Sequence, residues 1–293
     1  MNVSLQHSPD FAPQPTADGS FTFFSTQFNE AFHSQFGARQ EAEGKFVQPS
    51  GLVARARKPT LRLLDICYGM GYNTAAALEA VWEVNPACCV ELIALELDGA
   101  VPKAAVSHHL LNLWSGPVQE VLSQLAHELR VKTDRLHAQL WVGDARQTLS
   151  QVRSAGFLAD AVFLDPFSPP HCPQLWTVEF LKLVAQCLQA EGQLMTYSCA
   201  AAGRSALLKA GLHIGATPAV GRRSTGTIAS FSQAGLPPLS LQAQEHLLTR
   251  AAVPYRDPSL GDRAEVIVQR RILEQQTSTL EPTALWKKRW TNR

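Results

Sequence analysis

The sequence predicts an α/β protein built on a mostly parallel, seven-stranded sheet with a terminal antiparallel strand. Short apolar segments alternate with amphipathic helical segments from about residue 60 to residue 211, which is typical of a parallel sheet covered by helices on both faces. The last two strand candidates, LHIGATPAV and TGTIASFS, follow with only GRRS between them. This connection is long enough for an antiparallel pair, whereas a parallel crossover needs roughly a dozen residues or more.

The elements of this alternation are assigned from hydrophobic periodicity. Each strand candidate is a short run rich in Leu, Ile and Val, and each helix candidate repeats its apolar residues every three or four positions. The predicted strands are LRLLDIC, CVELIALEL, LHAQLWVGD, DAVFLD and GQLMTYS, in this order. The predicted helices cover residues 73–84, 101–113, 145–155, 176–188 and 201–211.

Composition and charge exclude some function classes. The chain has 293 residues, of which 45% are hydrophobic and 17% charged, and its formal net charge is +1. These values describe an ordinary globular protein without a bulk charge that favours nucleic acid or membranes. The N-terminal MNVSLQHSPDF lacks the pattern of a secretory signal, and no apolar run approaches the roughly 20 residues that span a bilayer. We therefore expect a cytoplasmic protein without a membrane segment.

The cysteines indicate a reducing environment. None of them forms a CxxC pair, and several lie inside apolar runs, so we expect free thiols and no metal site. The six cysteines are Cys67, Cys88, Cys89, Cys172, Cys187 and Cys199.

The chain is expected to divide into three parts. Residues 1–50 form an N-terminal arm that packs on the core, residues 51–232 form the main domain, and residues 233–293 form a helical extension with a basic tail. In the arm, the aromatic segment SFTFF indicates a strand. The phenylalanines at positions 28, 32 and 36 recur at helical spacing and predict a helix.

Four carboxylates stand at the ends of successive predicted parallel strands: Asp65, Glu96, Asp144 and Asp165. In open α/β sheets, ligands bind outside the carboxyl ends of the strands. A single acid in this position is often only a helix N-cap, and Asp144 can serve both purposes. Four in succession favour a ligand site at this edge of the sheet.

The glycines after Asp65 narrow the choice of ligand. Gly69 and Gly71 allow a ligand to approach the backbone closely, but the third glycine of a dinucleotide fingerprint is missing. Asp65 suits a cationic head such as a methionyl ammonium, Glu96 suits a ribose diol, and Asp144 suits an adenine amino group. This order fits S-adenosylmethionine. The predicted cofactor-binding residues are Asp65, Tyr68, Gly69, Gly71, Asn73, Glu96, Asp144 and Ala145.

The fourth acid, Asp165, is the candidate catalytic residue. It begins the segment DPFSPPHCP, whose prolines stiffen the loop after the strand. A fixed carboxylate at this edge can orient an incoming amine and accept its proton. The alternative is that Asp165 only caps a proline-rich turn.

These motifs resemble the methyltransferase domain of the MnmC family. Asp-Pro-Phe-Ser-Pro followed by Pro-Gln-Leu-Trp is similar to the D-x-F-[AS]-P…P-x-[LM]-W motif of that family. Gly69-Met-Gly71-Tyr-Asn73 matches its G-x-G-x-N motif, and Gly221-Arg222-Arg223 resembles its G-[RK]-[KR] element. The resemblance covers about residues 20–232. One departure is Cys67, which stands where the family pattern has its first glycine.

The resemblance implies a Rossmann-like class I fold and S-adenosylmethionine-dependent methylation of an aminomethyl group on the wobble uridine of tRNA. Bifunctional members of the family also carry a flavin-dependent oxidase domain. Residues 233–293 contain no second glycine motif, so we expect a stand-alone form without FAD. A separate enzyme would then supply the aminomethyl-uridine substrate.

Candidate contacts for tRNA are basic and aromatic residues. Cations contact phosphates, and an aromatic side chain stacks on an unpaired base. Two arginines lie between the last two strands, the tail contains LWKKRW, and an aromatic residue follows the catalytic candidate closely. The alternative is that the tail only solvates the surface. The predicted substrate-binding residues are Phe167, Arg222, Arg223, Lys287 and Lys288.

Two other functions remain open. One is a methyltransferase or an aminopropyl transferase that acts on a small-molecule amine, because aminopropyl transferases also place a strand-end Asp against an amine. The segment after Asp165 has no acid before Glu179, which disfavours a polycationic substrate. The other is a non-catalytic RNA-binding protein with a methyltransferase fold, which need not bind S-adenosylmethionine.

Overall fold

Before the central sheet, the chain forms two small hairpins and a few short helices. The computed structural model describes residues 11–221 and 224–291. The first elements are β1 (Gln14–Pro15), β2 (Phe21–Thr22), β3 (Phe24–Ser25), β4 (Glu30–Ala31), α1 (Ala38–Glu41), a π-helix (Ala42–Val47) and α2 (Leu52–Arg55). β1 pairs with β2 and β3 pairs with β4, both antiparallel. The predicted strand at SFTFF is thus divided between β2 and β3.

The predicted helix through Phe28, Phe32 and Phe36 is wrong. Phe28 lies in the turn between β3 and β4, where Asn29 adopts a positive φ of 50°. The four-residue spacing instead brings Phe28 and Phe32 to the same partner, with ring centroids 4.6 and 5.1 Å from that of Phe167. A tight hairpin can therefore mimic helical periodicity over one repeat.

The central sheet has eight strands. They are β5 (Thr60–Ile66), β6 (Cys89–Glu96), β7 (Arg130–Lys132), β8 (Leu136–Val142), β9 (Ala159–Leu164), β10 (Leu188–Thr196), β11 (His213–Ala216) and β12 (Thr227–Ser230). Their order across the sheet is β11-β12-β10-β9-β5-β6-β8-β7. β10, β9, β5, β6 and β8 are parallel, whereas β12 runs antiparallel to both of its neighbours. The predicted α/β fold with a terminal antiparallel strand is confirmed.

The remaining helices cover both faces of the sheet. They are α3 (Tyr72–Val84), α4 (Ala100–Ser107), α5 (Gly116–Glu128), α6 (Ala145–Ser154), α7 (Val178–Ala185), α8 (Ala201–Lys209), α9 (Leu241–His246), α10 (Ala264–Thr277) and α11 (Thr283–Thr291), with 3₁₀ turns at Pro173–Trp176 and Arg250–Ala252.

Two elements of the sheet region were not predicted. The eighth strand, β7, is only three residues long and two of its residues are exposed, so it carries no apolar run. α5 begins with Gly-Pro, which suggests a loop, although proline is well tolerated in the first turn of a helix.

Alternate residues of each strand are buried on opposite faces of the sheet. Leu63 belongs to a core that also includes Phe46 of the arm, Leu78 of α3 and Leu122 of α5. The next residue, Leu64, belongs to a second core with residues from α6, α7, α8 and α10. This alternation places the N-terminal arm and the C-terminal extension on opposite faces of the sheet.

An ion pair joins the C-terminal extension to α6. Arg146 donates from Nη1 to Oδ2 of Asp257 at 2.9 Å and pairs with Asp144 at 2.7 Å. The Asp257 side chain is fully buried, and its other oxygen accepts backbone N–H bonds from Gly261 and Asp262. This contact fixes the extension next to the strand ends.

We expect Asp257→Asn to destabilise the fold by about 1.5–3 kcal/mol, since a buried charge-assisted hydrogen bond is lost while Arg146 keeps Asp144. Urea unfolding measures the effect. Glu91→Gln is the matched control, because Glu91 pairs with Arg62 at 2.8 Å while both side chains are substantially exposed, and such pairs contribute less than about 1 kcal/mol. Equal losses in the two variants would contradict the role of Asp257.

Candidate functional site

A cavity of about 370 Å³ lies at the carboxyl ends of β5, β6, β8 and β9. Glu96, Asp144 and Asp165 line it, as the strand-end pattern predicts. The N-terminal arm forms the opposite wall, with lining residues from β3, the following turn and the segment up to α1. The sheet and the arm together therefore enclose the site.

The turn from β5 to α3 forms one side of the cavity. Gly69, which lines it, has a φ of +56° and donates its N–H to Oε2 of Glu96 at 2.7 Å. Gly71 has a φ of +83° and precedes α3, and a Cβ there would lie 2.5 Å from the Tyr68 hydroxyl. Tyr68 and Gly71 thus shape the turn from below and are not among the lining residues.

Glu96 ends β6 and is almost fully buried. Its two oxygens accept one backbone N–H each, from Gly69 at 2.7 Å and from Asp98 at 3.0 Å. Burial raises the pKa of this carboxyl, while the backbone N–H bonds oppose the rise. Each oxygen keeps acceptor capacity beyond these bonds, which suits a ligand with adjacent hydroxyls.

Asp144 and Ala145 lie where β8 leads into α6, and both line the cavity. Asp144 is the N-cap of α6 and accepts the N–H of Arg146 at 2.9 Å. Its carboxylate also receives the Arg146 guanidinium. Asp144 is thus a helix cap and a cavity residue at once, with its charge already compensated by Arg146.

Asp65 lies below the cavity and is not one of its lining residues. It is fully buried and accepts the Thr74 hydroxyl at 2.6 Å, and Oδ1 is buried without a hydrogen-bond partner in the described part of the chain. Burial raises its pKa to about 7, with the Thr74 bond opposing and the Glu96 charge adding.

Asp165 follows β9 and is partly exposed to the cavity. Asn73 of α3 donates to its Oδ2 at 2.7 Å, so Asn73 supports Asp165 rather than lining the cavity itself. Burial raises the pKa of Asp165 well above its usual value, and the nearby Glu41 charge raises it further. The bond from Asn73 opposes this rise.

The loop after Asp165 is held on several sides. The Tyr197 hydroxyl donates to the Pro166 carbonyl at 3.0 Å, and the Trp176 indole donates to the Phe167 carbonyl at 2.9 Å. Both the N–H and the hydroxyl of Ser168 donate to Glu30 of β4 at 2.9 Å. These bonds, together with the prolines, fix the position of Asp165.

Phe167, the predicted stacking residue, lines the cavity but is already packed against aromatic rings. Its ring is stacked on Phe28 and meets Phe32 edge to face. The arm is thus attached to the loop after Asp165 by an aromatic cluster.

The arm also brings charged groups that strand-end reasoning did not find. Glu41 and His33 line the cavity, and Lys45 pairs with Glu41 at 3.0 Å. His33 stacks on Tyr72, and burial lowers its pKa to about 4. The sequence signal for these residues is weak, because they follow no strand and belong to no motif.

Of the four basic residues predicted to contact RNA, the structure describes Lys287 and Lys288. Arg222 and Arg223 fall outside the described residues. Lys287 and Lys288 are exposed on α11 and do not line the cavity. Their neighbours have internal partners: Trp286 stacks on His246, and Arg289 pairs with Glu245 and Glu281.

Within residues 11–221 and 224–291, no three His, Cys, Asp or Glu side chains lie close enough to hold a metal ion. No helix in these ranges has the length and apolar character needed to cross a membrane. All six cysteines are free thiols.

Comparisons with known proteins agree with this geometry. A family model described as S-adenosyl-L-methionine-dependent methyltransferase matches residues 108–232. The bifunctional tRNA 5-methylaminomethyl-2-thiouridine biosynthesis protein MnmC of Ralstonia nicotianae is 30% identical over 236 residues, which cover 75% of this chain and 34% of that protein. The chain thus spans about a third of the bifunctional relative.

Two other relatives are matched over most of their length. An uncharacterized protein of Methanocaldococcus jannaschii is 31% identical over 264 residues, which cover 87% of this chain and 70% of that protein. The crystal structure of MnmC2 from Aquifex aeolicus superposes with a TM-score of 0.79 at 34% identity, covering 91% of this chain and 85% of that chain. With this identity and coverage, the chain belongs to the MnmC-like family of S-adenosyl-L-methionine-dependent methyltransferases.

Proposed function

We propose that this methyltransferase transfers a methyl group to the aminomethyl group of a modified wobble uridine in tRNA. The observation that carries the proposal is Asp165, a carboxylate held by Asn73 and a stiff loop at the strand edge of the cavity. The names of the bifunctional relatives, which refer to 5-methylaminomethyl-2-thiouridine in tRNA, support the same substrate. A separate enzyme supplies the aminomethyl group, and the reaction takes place in the cytoplasm.

The residues at the strand ends fit S-adenosylmethionine. Glu96 offers two fixed carboxylate oxygens for the ribose hydroxyls, and the backbone at Gly69 leaves the cavity open where a Cβ would contact the Phe32 ring at 3.4 Å. Asp144 and Ala145 form the adenine side. Asp65, which lies below the cavity, attracts the methionyl ammonium through its charge, and its Oδ1 has no hydrogen-bond partner among the described residues.

The bound cofactor supplies an electrophilic methyl group on a sulfonium. The chain has to hold the acceptor amine in line and remove its proton, because an ammonium has no lone pair with which to attack. Asp165 accepts that proton, and Asn73 keeps the Oδ2 oxygen oriented. Placing the two reactants together supplies most of the remaining acceleration.

The tRNA is held by the basic residues outside the cavity. Lys287 and Lys288 are exposed on α11, so their ammonium groups are accessible to phosphates. Arg222 and Arg223, which stand between the last two strands in the sequence, are further candidates for contact with the RNA. Phe167 contributes the edge of an aromatic wall rather than a free stacking platform.

We expect Glu96→Ala to weaken S-adenosylmethionine binding about ten- to hundredfold, because the net loss of one charge-assisted hydrogen bond is roughly 1.5–3 kcal/mol. Isothermal titration calorimetry measures the change. Glu91→Gln, on the same strand but away from the cavity, is the control. Unchanged affinity in Glu96→Ala would remove Glu96 from the ribose site.

We expect Asp165→Asn to lower kcat by ~10²–10⁴ while cofactor affinity is kept, since the general base is lost and the shape is retained. The assay is methyl transfer to tRNA that carries 5-aminomethyl-2-thiouridine, with mass analysis of the nucleosides. A scaffold protein would bind no cofactor, and an enzyme for small amines would leave the tRNA unmethylated.

The pH dependence of kcat has a defined direction. Asp165 works only when it is ionised, and its pKa is raised, so activity falls as pH drops through a value above that of an ordinary Asp. Asn73→Ala removes the bond that opposes the rise and should move this limb to higher pH. If the fall of kcat at low pH occurs at the same pH in Asn73→Ala as in the wild type, Asp165 is not the group whose ionisation controls kcat.

Replacing Lys287 and Lys288 together by Ala should weaken tRNA binding and lower the slope of log K against log salt by roughly 1.5. The cofactor affinity should stay the same, because neither residue lines the cavity. Binding is measured at several salt concentrations. An unaltered slope would show that the two lysines contact no phosphate.

A further inference from the structure

One member of a buried ion pair, Glu41, lines the same cavity as Asp165. Lys45, in the π-helix after α1, is 1% exposed and lies 3.0 Å from Oε1 of Glu41. Glu41 lines the cavity, and its Oε2 accepts the backbone N–H of Ser34 at 3.3 Å. Burying such a pair costs desolvation energy that its attraction barely recovers, so a buried pair is weak evidence for a role in stability.

The segment that carries the pair is fixed to the sheet beside Asp165. Phe46, next to Lys45, meets Phe163 of β9 edge to face with centroids 5.6 Å apart. Phe163 lies two residues before Asp165 on the same strand. π-Helical turns occur frequently at functional sites; this one carries Lys45, directly follows Glu41, and packs on β9 through Phe46.

A third polar group on this wall is the His33 ring. Its Nδ1 is buried and makes no hydrogen bond within the described part of the chain. Burial keeps the ring neutral by lowering its pKa to about 4, and the Glu41 charge acts against that effect. A neutral ring nitrogen beside a carboxylate is a suitable acceptor for an ammonium N–H.

We propose that Glu41 is a second carboxylate that holds the acceptor ammonium opposite Asp165, and that Lys45 is the buried counter-ion that positions Glu41. This inference rests on the proposed methylation of an amine. The ammonium enters between the two carboxylates, and Asp165 takes one proton from it. The freed nitrogen lone pair forms the N–C bond, the C–S bond breaks, and its electron pair stays on sulfur. Glu41 then faces the methylated, positively charged product.

The net charge of the groups around Glu41 and Asp165 suits the binding of an ammonium. Asp165 and Glu41 together with Lys45 carry a formal charge of −1, which an incoming ammonium neutralises. Several other groups on neighbouring elements interact electrostatically with Asp165. The groups that act on Asp165 or feel its charge are Glu41, Lys45, Asp65, Cys67, Asn73 and Tyr197.

The test compares Glu41→Gln, Lys45→Met and the double variant Glu41→Gln/Lys45→Met. The double variant removes both buried charges at nearly constant volume, so it stays informative if either single variant fails to fold. Glu43→Gln is the matched control, because Glu43 pairs with Arg39 on the same segment while both side chains are exposed. The probes are two anticodon stem-loop RNAs with 5-aminomethyluridine or 5-methyluridine at the wobble position.

Calorimetry with S-adenosylhomocysteine present measures the preference for the amine without any chemistry. We expect the wild type and Glu43→Gln to bind the aminomethyl RNA roughly tenfold more tightly than the methyl RNA. The double variant should lose most of this preference, and its KM for the aminomethyl RNA should rise by a similar factor.

The pH profile of kcat gives a readout that a purely structural role would not move. Lys45→Met removes a cation that lowers the pKa of Asp165, so its acid limb should move to higher pH. In the double variant the limb should lie at lower pH than in the wild type, because the lost Glu41 charge raises the pKa of Asp165 more than the lost Lys45 charge lowers it.

The outcomes separate this inference from the proposed function. If the wild type methylates the amine and the double variant keeps both the full preference and the wild-type profile, Glu41 and Lys45 are structural and the inference is overturned alone. If the wild type neither prefers nor methylates the aminomethyl RNA, the proposed function fails and the inference fails with it.

Discussion

The hydrogen bond from the Gly69 N–H to the Glu96 carboxylate is the contact on which the cavity depends. It joins the turn after β5 to the end of β6 and fixes the width of the space between them. Parallel strands bring their carboxyl ends to one edge, but the edge becomes a shaped site only when the loops are tied to each other. The backbone N–H of Asp98 donates to the other carboxylate oxygen of Glu96 and holds it from the opposite side.

The sheet and its edge could be predicted because their signals are local. Alternating apolar strands and helices determine the fold, and acids such as Glu96 and Asp165 end a strand or directly follow one. The conformation of the arm could not be predicted, since Phe28 and Phe32 repeat like a helix although Phe28 lies in a hairpin turn and Phe32 follows the hairpin. Their shared partner, Phe167, is more than 130 residues away in the chain, and no periodicity reports a contact of that range.

The sequence analysis also predicted cofactor contacts for residues that do not line the cavity. Tyr68, Gly71 and Asn73 belong to the glycine motif, yet they act one layer below the cavity: Tyr68 fills the space beside Gly71, and Asn73 holds Asp165. A motif records which residues are required together. It does not distinguish a residue that lines a site from one that supports it, because both are constrained by the same backbone.

Cys67 shows how the turn tolerates a departure from the family pattern. It stands where the pattern has a glycine, and it adopts a φ of +68°, a region that disfavours residues with a Cβ. Such strain persists only where the surroundings over-determine the backbone. Here the N–H groups of Cys67 and Tyr68 both donate to the Leu95 carbonyl at 2.9 Å, which holds the turn from the strand below. The glycine-like geometry is therefore imposed by β6 and does not require the glycine.

The arm changes the chemistry of the edge as well as its shape. An open strand edge would leave Asp165 in water with an ordinary carboxyl pKa. Covered by the arm, the same carboxyl is desolvated and lies near Glu41, and both effects raise its pKa. A carboxyl with a raised pKa is better matched to proton transfer near neutral pH, which is the role proposed for Asp165. The aromatic cluster that attaches the arm to the loop after Asp165 thus links enclosure of the cavity to the pKa of this carboxyl.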